Sequence, residues 1–166
     1  LAAVDLKKMS AAGISNRVRS LTRLGLDNYL IKHLPQLRKG RSGKLLKELG
    51  EAYLKALFSE KYYAQIIKFH QQGTLSKKWA VKQESQLYWT ARSYIKRKNI
   101  PAGRSTIYKL EKHNPKSKQL PVLYDTFATR YVLDSEIRKA QFWWNRLLSH
   151  FPKHQLAAKS AWELAW

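Results

Sequence analysis

An all-α fold of stacked antiparallel helix pairs, wound into a superhelical solenoid, is what this sequence predicts, and three observations lead there. Apolar residues recur at steps of three and four, the mark of a helix with one buried face, and no period-two alternation of a half-buried strand is present. Glycine (7) and proline (5) are scarce among 166 residues, while the helix-favouring alanine, leucine, lysine and arginine abound. The second half of the chain also repeats itself. An offset of 37 residues lays 90–115 over 127–152, pairing Ala91 with Ala128, Tyr94 with Tyr131, Ile95 with Val132 and Ile100 with Ile137. It continues through Ile107 with Trp144, Leu110 with Leu147, His113 with His150 and Pro115 with Pro152. A third copy opens at the end, with Leu164 on Phe127 and Ala165 on Ala128. A period near 37 with two helices per unit is close to the tetratricopeptide length, and such units bury their faces by stacking on their neighbours.

Taken in order, the elements number nine or ten helices. Short helices are expected over 15–24 and 27–34, with Pro35 as the stop, since proline lacks the N–H that a helix interior needs. "RKGRSGK" (38–44) reads as a basic, glycine-bearing loop. Leu45, Leu46, Leu49, Ala52, Tyr53, Ala56 and Leu57 trace the next helix, and Tyr62, Tyr63, Ile66, Ile67 and Phe69 the one after. "QQGTLSKK" (71–78) reads as a breaker. This N-terminal part, 1–79, repeats irregularly, and 80–166 holds the 37-residue units. In the first of those, Leu87, Ala91 and Tyr94 mark a helix that ends in "KRKN" before Pro101. In the next, Asp134 and Glu136 suit a helix start, and Ala140, Trp143, Trp144, Leu147, Leu148 and Phe151 line the helix that follows. Proline after the last turn closes each second helix, and the small Ala91, Ala128 and Ala165 permit close approach of neighbouring helices. The final "AAKSAWELAW" places Trp162 and Trp166 four apart on one face beside Ala161 and Ala165, so a further packing partner is expected beyond Trp166.

Charge narrows the partners. Thirty-two lysines and arginines against eleven acids leave a formal +21. Such a surface attracts polyanions: nucleic acid, an anionic membrane surface or an acidic cell-wall polymer. The absence of cysteine excludes disulfides and thiolate chemistry. No run approaches the roughly 20 apolar residues of a membrane span, and no signal peptide is visible; a targeting segment would lie upstream of Leu1.

"SQLYWTARSYIKRKN" (85–99) and "FPKHQLAAKSAWELAW" (151–166) carry a resemblance to a family. A proline-terminated helix followed by an alanine-rich segment ending in Leu-Ala-Trp, together with a "YW-x-A-R" segment (Tyr88, Trp89, Ala91, Arg92), resembles the helical-repeat region of bacterial soluble lytic transglycosylases. The resemblance is best over 80–166. It implies a non-catalytic, curved or ring-shaped scaffold in a cell-envelope, periplasmic protein that remodels peptidoglycan. Members of the family cleave between N-acetylmuramic acid and N-acetylglucosamine to leave a 1,6-anhydro product, using one glutamate of a C-terminal lysozyme-like domain. That domain would lie beyond Trp166, and no residue here matches its catalytic motif in context. The alternative reading is a repeat module that binds a protein or nucleic acid; no recognition helix, zinc pattern or RNA-binding signature accompanies the charge.

The candidate residues follow from these readings. Glu84-Ser85 echoes a Glu-Ser pair, but glutamate at a helix start suits the dipole. The acids are scattered beside lysines and arginines, which would lower their pKa, and no pair of carboxyls suited to glycoside cleavage is apparent. His150 and His154 are separated by Pro152, and His113 and His150 mark equivalent helix ends, so no metal site is expected and no cofactor is called for. Most aromatics at helical spacing belong to the core. Trp143 and Trp144, being adjacent, cannot face the same way; one of them, with Trp89, is the expected exposed ring for stacking a sugar or base. Arg38, Lys39, Arg41 and Lys44 form one basic run and Arg92, Lys96, Arg97 and Lys98 another. Arg97 and Lys98 are expected to continue a charged stripe from unit to unit.

Overall fold

The computed structural model describes residues 9–165. Ten helices and no strand occur among them: α1 (Ala11–Arg23), α2 (Asp27–Leu37), α3 (Gly43–Ser59), α4 (Tyr63–Gln71), α5 (Thr74–Trp79), α6 (Gln83–Lys96), α7 (Ile100–His113), α8 (Leu120–Leu133), α9 (Ile137–His150) and α10 (Gln155–Ala165). None of these helices is long and apolar enough to cross a membrane.

One backbone device recurs through the stack. Gly25, Lys61, Lys98 and Ser135 all adopt the left-handed conformation, with φ of 68°, 64°, 61° and 60°, at intervals of 36, 37 and 37 residues. In each case the following N–H reaches five residues back: Leu26 to Leu21 (3.0 Å), Tyr62 to Leu57 (2.8 Å), Asn99 to Tyr94 (2.9 Å) and Glu136 to Tyr131 (2.8 Å). This is the Schellman closure, which satisfies carbonyls that a helix end leaves open and reverses the chain. Four hairpins result: α1/α2, α3/α4, α6/α7 and α8/α9. The periodicity visible in the second half of the sequence thus extends into the first half as turn geometry. There the second helix is the irregular part, since α4 has 9 residues where α7 and α9 have 14.

Each first helix packs on the next, α1 on α3, α3 on α6 and α6 on α8, and each second helix is covered by the first helix of the following unit, with α10 covering α9. Contacts between near neighbours alone are the hallmark of a solenoid. Ala91 and Ala128 are fully buried at these contacts. Ala165, on the last described helix, is exposed. Trp166 lies outside the described residues, and Trp162 is 60% exposed. The buried apolar residues gather in two clusters, one spanning Ile14 to Val81 and one spanning Leu87 to Ala157. Trp89 of α6 packs against the first and so joins the halves.

Three boundaries differ from those expected. Pro35 lies inside α2, in its last turn. Only the bond to Ile31 is forfeited there, and burial of Leu34 and Leu37 holds the turn together. The 71–78 stretch is not merely a breaker: Gly73 (φ 65°) ends α4 and α5 starts at once. Leu75 and Trp79, one turn apart, are buried, and the Trp79 ring stacks on Tyr53 at 4.4 Å. Of the two acids expected to start α9, Glu136 does so as its N-cap residue, its carbonyl accepting from the Lys139 and Ala140 N–H groups, and Asp134 does not. Asp134 follows the last turn of α8 and is gripped in a fork by Arg130, and Glu136 pairs with Lys139.

Two glycines mark close approaches. A Cβ on Gly50 of α3 would lie 2.6 Å from Val81 Cγ2 and 2.7 Å from the Trp79 carbonyl oxygen, so α3 seats on the 79–81 backbone only because no side chain intervenes. A Cβ on Gly103 of α7 would lie 3.1 Å from the Phe127 ring, and its repeat equivalent is Ala140.

Candidate ligand-binding groove

Where the acids go decides where the positive charge is left. Glutamates and aspartates tie one unit to the next at intervals of 33 to 35 residues. Ser15 donates to Glu48, Ser85 to Glu51 and Ser117 to Glu84, where Asn114 adds a second bond of 3.2 Å. Arg146 grips Glu111 with two bonds (2.8 and 2.7 Å), and Tyr124 donates to the same carboxylate. Lys159 reaches Asp125 at 2.8 Å. These charge-assisted bonds fix the register of the stack. They engage five of the eleven acids, Glu48, Glu51, Glu84, Glu111 and Asp125, so that much of the lysine and arginine surplus stands uncompensated.

Five of the thirty-two cations, with Glu48 and Glu51, line a groove of about 620 Å³ between α1, α3 and α6, to which Gln119 also contributes. Arg19 and Arg23, one turn apart, come from α1; Lys44, Lys47 and Lys55, at steps of three and eight, come from one face of α3. Arg23, Lys44 and Lys55 carry no salt bridge among the described residues. Tyr88 and Trp89 of α6 supply ring surface. The groove therefore combines cations on two walls with aromatics on the third.

Glu51 is the unusual acid within it. Burial pushes its carboxyl above the ordinary range and outweighs the Ser85 hydroxyl, Lys47 and Lys82, which pull the other way. The expectation that neighbouring cations would lower the acids' pKa fails at this residue. Lys47 in turn is pushed down, by desolvation first and then by the adjacent Lys82 ammonium. Glu48, one turn before Glu51, is occupied by Ser15 and by Arg19 at 3.7 Å.

The six candidates from the sequence scatter across the structure. Trp89 does line the groove, half-buried between Phe58 and Tyr88, each ring 5.0 Å away. Arg92 is packed rather than presented: its guanidinium lies 4.5 Å over Phe58, near Tyr88 and Trp89, and donates to the Tyr88 hydroxyl at 3.0 Å. Arg97 and Lys98 are exposed at the α6/α7 tip, away from the groove. Their equivalents one unit on are Asp134 and Ser135, so no basic stripe runs along the tips. Trp143 and Trp144 are both buried, 2% and 3% exposed, against the expectation that one would be free. The reason is that α9 is flanked by α8 on one side and α10 on another, so rings pointing different ways are both covered. Of the basic run at 38–44, Arg38 folds over Trp79 at 5.2 Å, and Lys44 reaches the groove.

Comparison with family models, curated proteins and solved structures finds no match. The groove is the observation left to carry a function. The histidines do not compete with it: His113 and His150 end α7 and α9, and His154 accepts from the Leu156 N–H at 3.2 Å. No group of three or more metal-ligating side chains occurs among the described residues. Sequence reasoning passed over Arg19, Arg23, Lys47 and Lys55, and noticed Tyr88 only as a member of the YW-x-A-R segment. The signal available was the spacing on α3: Lys44, Lys47, Glu51 and Lys55 fall on one helical face.

Proposed function

We propose that this chain is a non-catalytic helical scaffold that holds an anionic glycan polymer, peptidoglycan, along the groove between α1, α3 and α6, as part of a lytic-transglycosylase-like protein of the bacterial cell envelope. The groove carries the reading: cations on two walls suit the polymer's carboxylates, and Tyr88 and Trp89 offer faces on which sugar rings stack. The resemblance over 85–99 and 151–166 supports the choice of the wall polymer over other polyanions. The acids' engagement between units supports a holding role rather than a hydrolytic one. The competing module, a nucleic-acid or protein binder, is an outcome of the test.

Co-sedimentation with purified sacculi, titrated with salt and run beside an RNA-binding assay, separates these. Reversing Lys47 and Lys55 to glutamate is expected to weaken retention on sacculi about tenfold or more, because two attractive contacts become repulsive. Arg97→Ala/Lys98→Ala, outside the groove, should change it by less than about twofold. Equal loss in both variants would reduce the groove to general surface charge. Tighter retention of RNA than of sacculi at roughly 0.2 M salt would reverse the choice of partner, since purely electrostatic nucleic-acid binding fades steeply there.

A further inference from the structure

A second cleft, of about 450 Å³, lies among α4, α6 and α7, and it is lined by His70, Gln83, Leu87, Lys109, Lys112 and His113. Lys109, Lys112 and His113 stand at i, i+3 and i+4, on one face of α7. His70 comes from the last turn of α4. Four basic side chains thus border one hollow, with the Gln83 amide beside them, and no carboxylate is among its lining. Glu84, beside Gln83 in α6, is held by Ser117 and Asn114. Lys68, two residues before His70 on α4, adds a further positive charge to that helix.

Among the side chains lining this cleft, His70 is the one with a buried polar atom left without a partner. Its Nδ1 is buried without a hydrogen-bond partner, while the ring engages the Gln86 side chain as a donor. Burial and then the nearby Lys109 set against that bond, and the ring is held below its ordinary pKa. A buried polar atom without a partner is rare in a folded protein and calls for an explanation. A bound anion supplies one, accepting from a protonated Nδ1–H while neutralising the lysines. Several donors on two helices with no counter-charge suit a compact dianion with several acceptor oxygens, and a single carboxylate would leave cations unmatched.

We propose that this cleft is a binding site for a phosphate-type dianion, free or as a phosphomonoester, whose binding is coupled to protonation of His70. It is independent of the groove and of the polymer held there. Without an anion, the depressed His70 means that the folded chain binds fewer protons than the unfolded one. Stability therefore falls as pH drops through about 6.5, and a saturating dianion should remove that loss.

Sulfate is the probe, because its charge is constant over the pH range used. Calorimetry on the full chain is expected to show sulfate affinity rising about tenfold between pH 7.5 and 5.5, with the His70 Cε1–H resonance titrating at higher pH when sulfate is present. His70→Gln should flatten the pH dependence. Lys109→Ala/Lys112→Ala, which alters exposed side chains only and so leaves the fold intact, should abolish sulfate binding while retention on sacculi persists. Displacement of sulfate at pH 7 by inorganic phosphate but not by glucose 6-phosphate assigns free phosphate; stronger displacement by the ester assigns a phosphomonoester. A His70 titration indifferent to sulfate, unchanged affinity in the double-lysine variant, or displacement by neither compound overturns the proposal.

Discussion

Replacing Trp143 by alanine is expected to lower the unfolding midpoint by on the order of 10 °C, through a loss of about 3–5 kcal/mol. Trp143 is 2% exposed and sits where three helices meet. Its ring lies 4.9 Å from Phe127 and 5.7 Å from Tyr124, both on α8, 6.0 Å from Tyr108 of α7, and 5.4 Å edge-on to Phe142. Truncation removes a large transfer term and leaves a void that four rigid rings cannot collapse to fill. Thermal melts followed by circular dichroism provide the measurement. A drop below about 3 °C would mean that the ring is not packed as described. Trp162, at 60% exposure, is the internal control, and its alanine variant should shift the midpoint by no more than a degree or two.

The second large effect comes from adding one carbon. In an ordinary helix interior, glycine to alanine gains up to about 1 kcal/mol. At Gly50 the sign reverses, because the new methyl would meet the Trp79 carbonyl oxygen at 2.7 Å and Val81 Cγ2 at 2.6 Å. A backbone carbonyl cannot rotate away, so α3 must lift from the 79–81 segment, at a net cost of about 1–3 kcal/mol. Gly103→Ala is the informative partner. Its obstacle is the edge of the Phe127 ring at 3.1 Å, which can yield by tenths of an ångström, and alanine already stands at equivalent position 140. Denaturant titrations should therefore place Gly50→Ala clearly below the parent chain and Gly103→Ala within about 1 kcal/mol of it. The reverse order would show that the two approaches had been weighed wrongly.

These residues also show what was legible beforehand. The helical class, the stacked pairs and the buried face of α9 follow from apolar spacing, a property written in residue types. The turns at Gly25 and Lys61 do not, because the left-handed conformation is a backbone state that Gly, Lys, Lys and Ser fill in turn; matching residue types at a 37-residue offset cannot detect it. Adjacent tryptophans were expected to divide between core and solvent, which holds for a helix covered on one side. In a stack, α9 has neighbours on more than one side, and both rings are enclosed. The groove was legible only in part. Trp89 and Lys44 drew notice as members of motifs or runs, whereas Arg19, Arg23, Lys47 and Lys55 come together only once α1 lies against α3. Arg92 stood in the most suggestive motif and proved to be a packing residue, since three aromatic rings converge on it.

The tips of the hairpins carry a last implication. A side chain with a Cβ in the left-handed conformation costs roughly 1 kcal/mol that glycine avoids, yet only the first of the four tips is glycine. Lys61, Lys98 and Ser135 each concede that amount, on a surface where no packing demands them. The chain therefore sits below the stability its own backbone permits, and glycine at three equivalent places would recover the difference without touching a core. Natural sequences commonly keep such unclaimed reserve, and here it lies at the loop ends, where two of the three residues that forgo it bring positive charge instead.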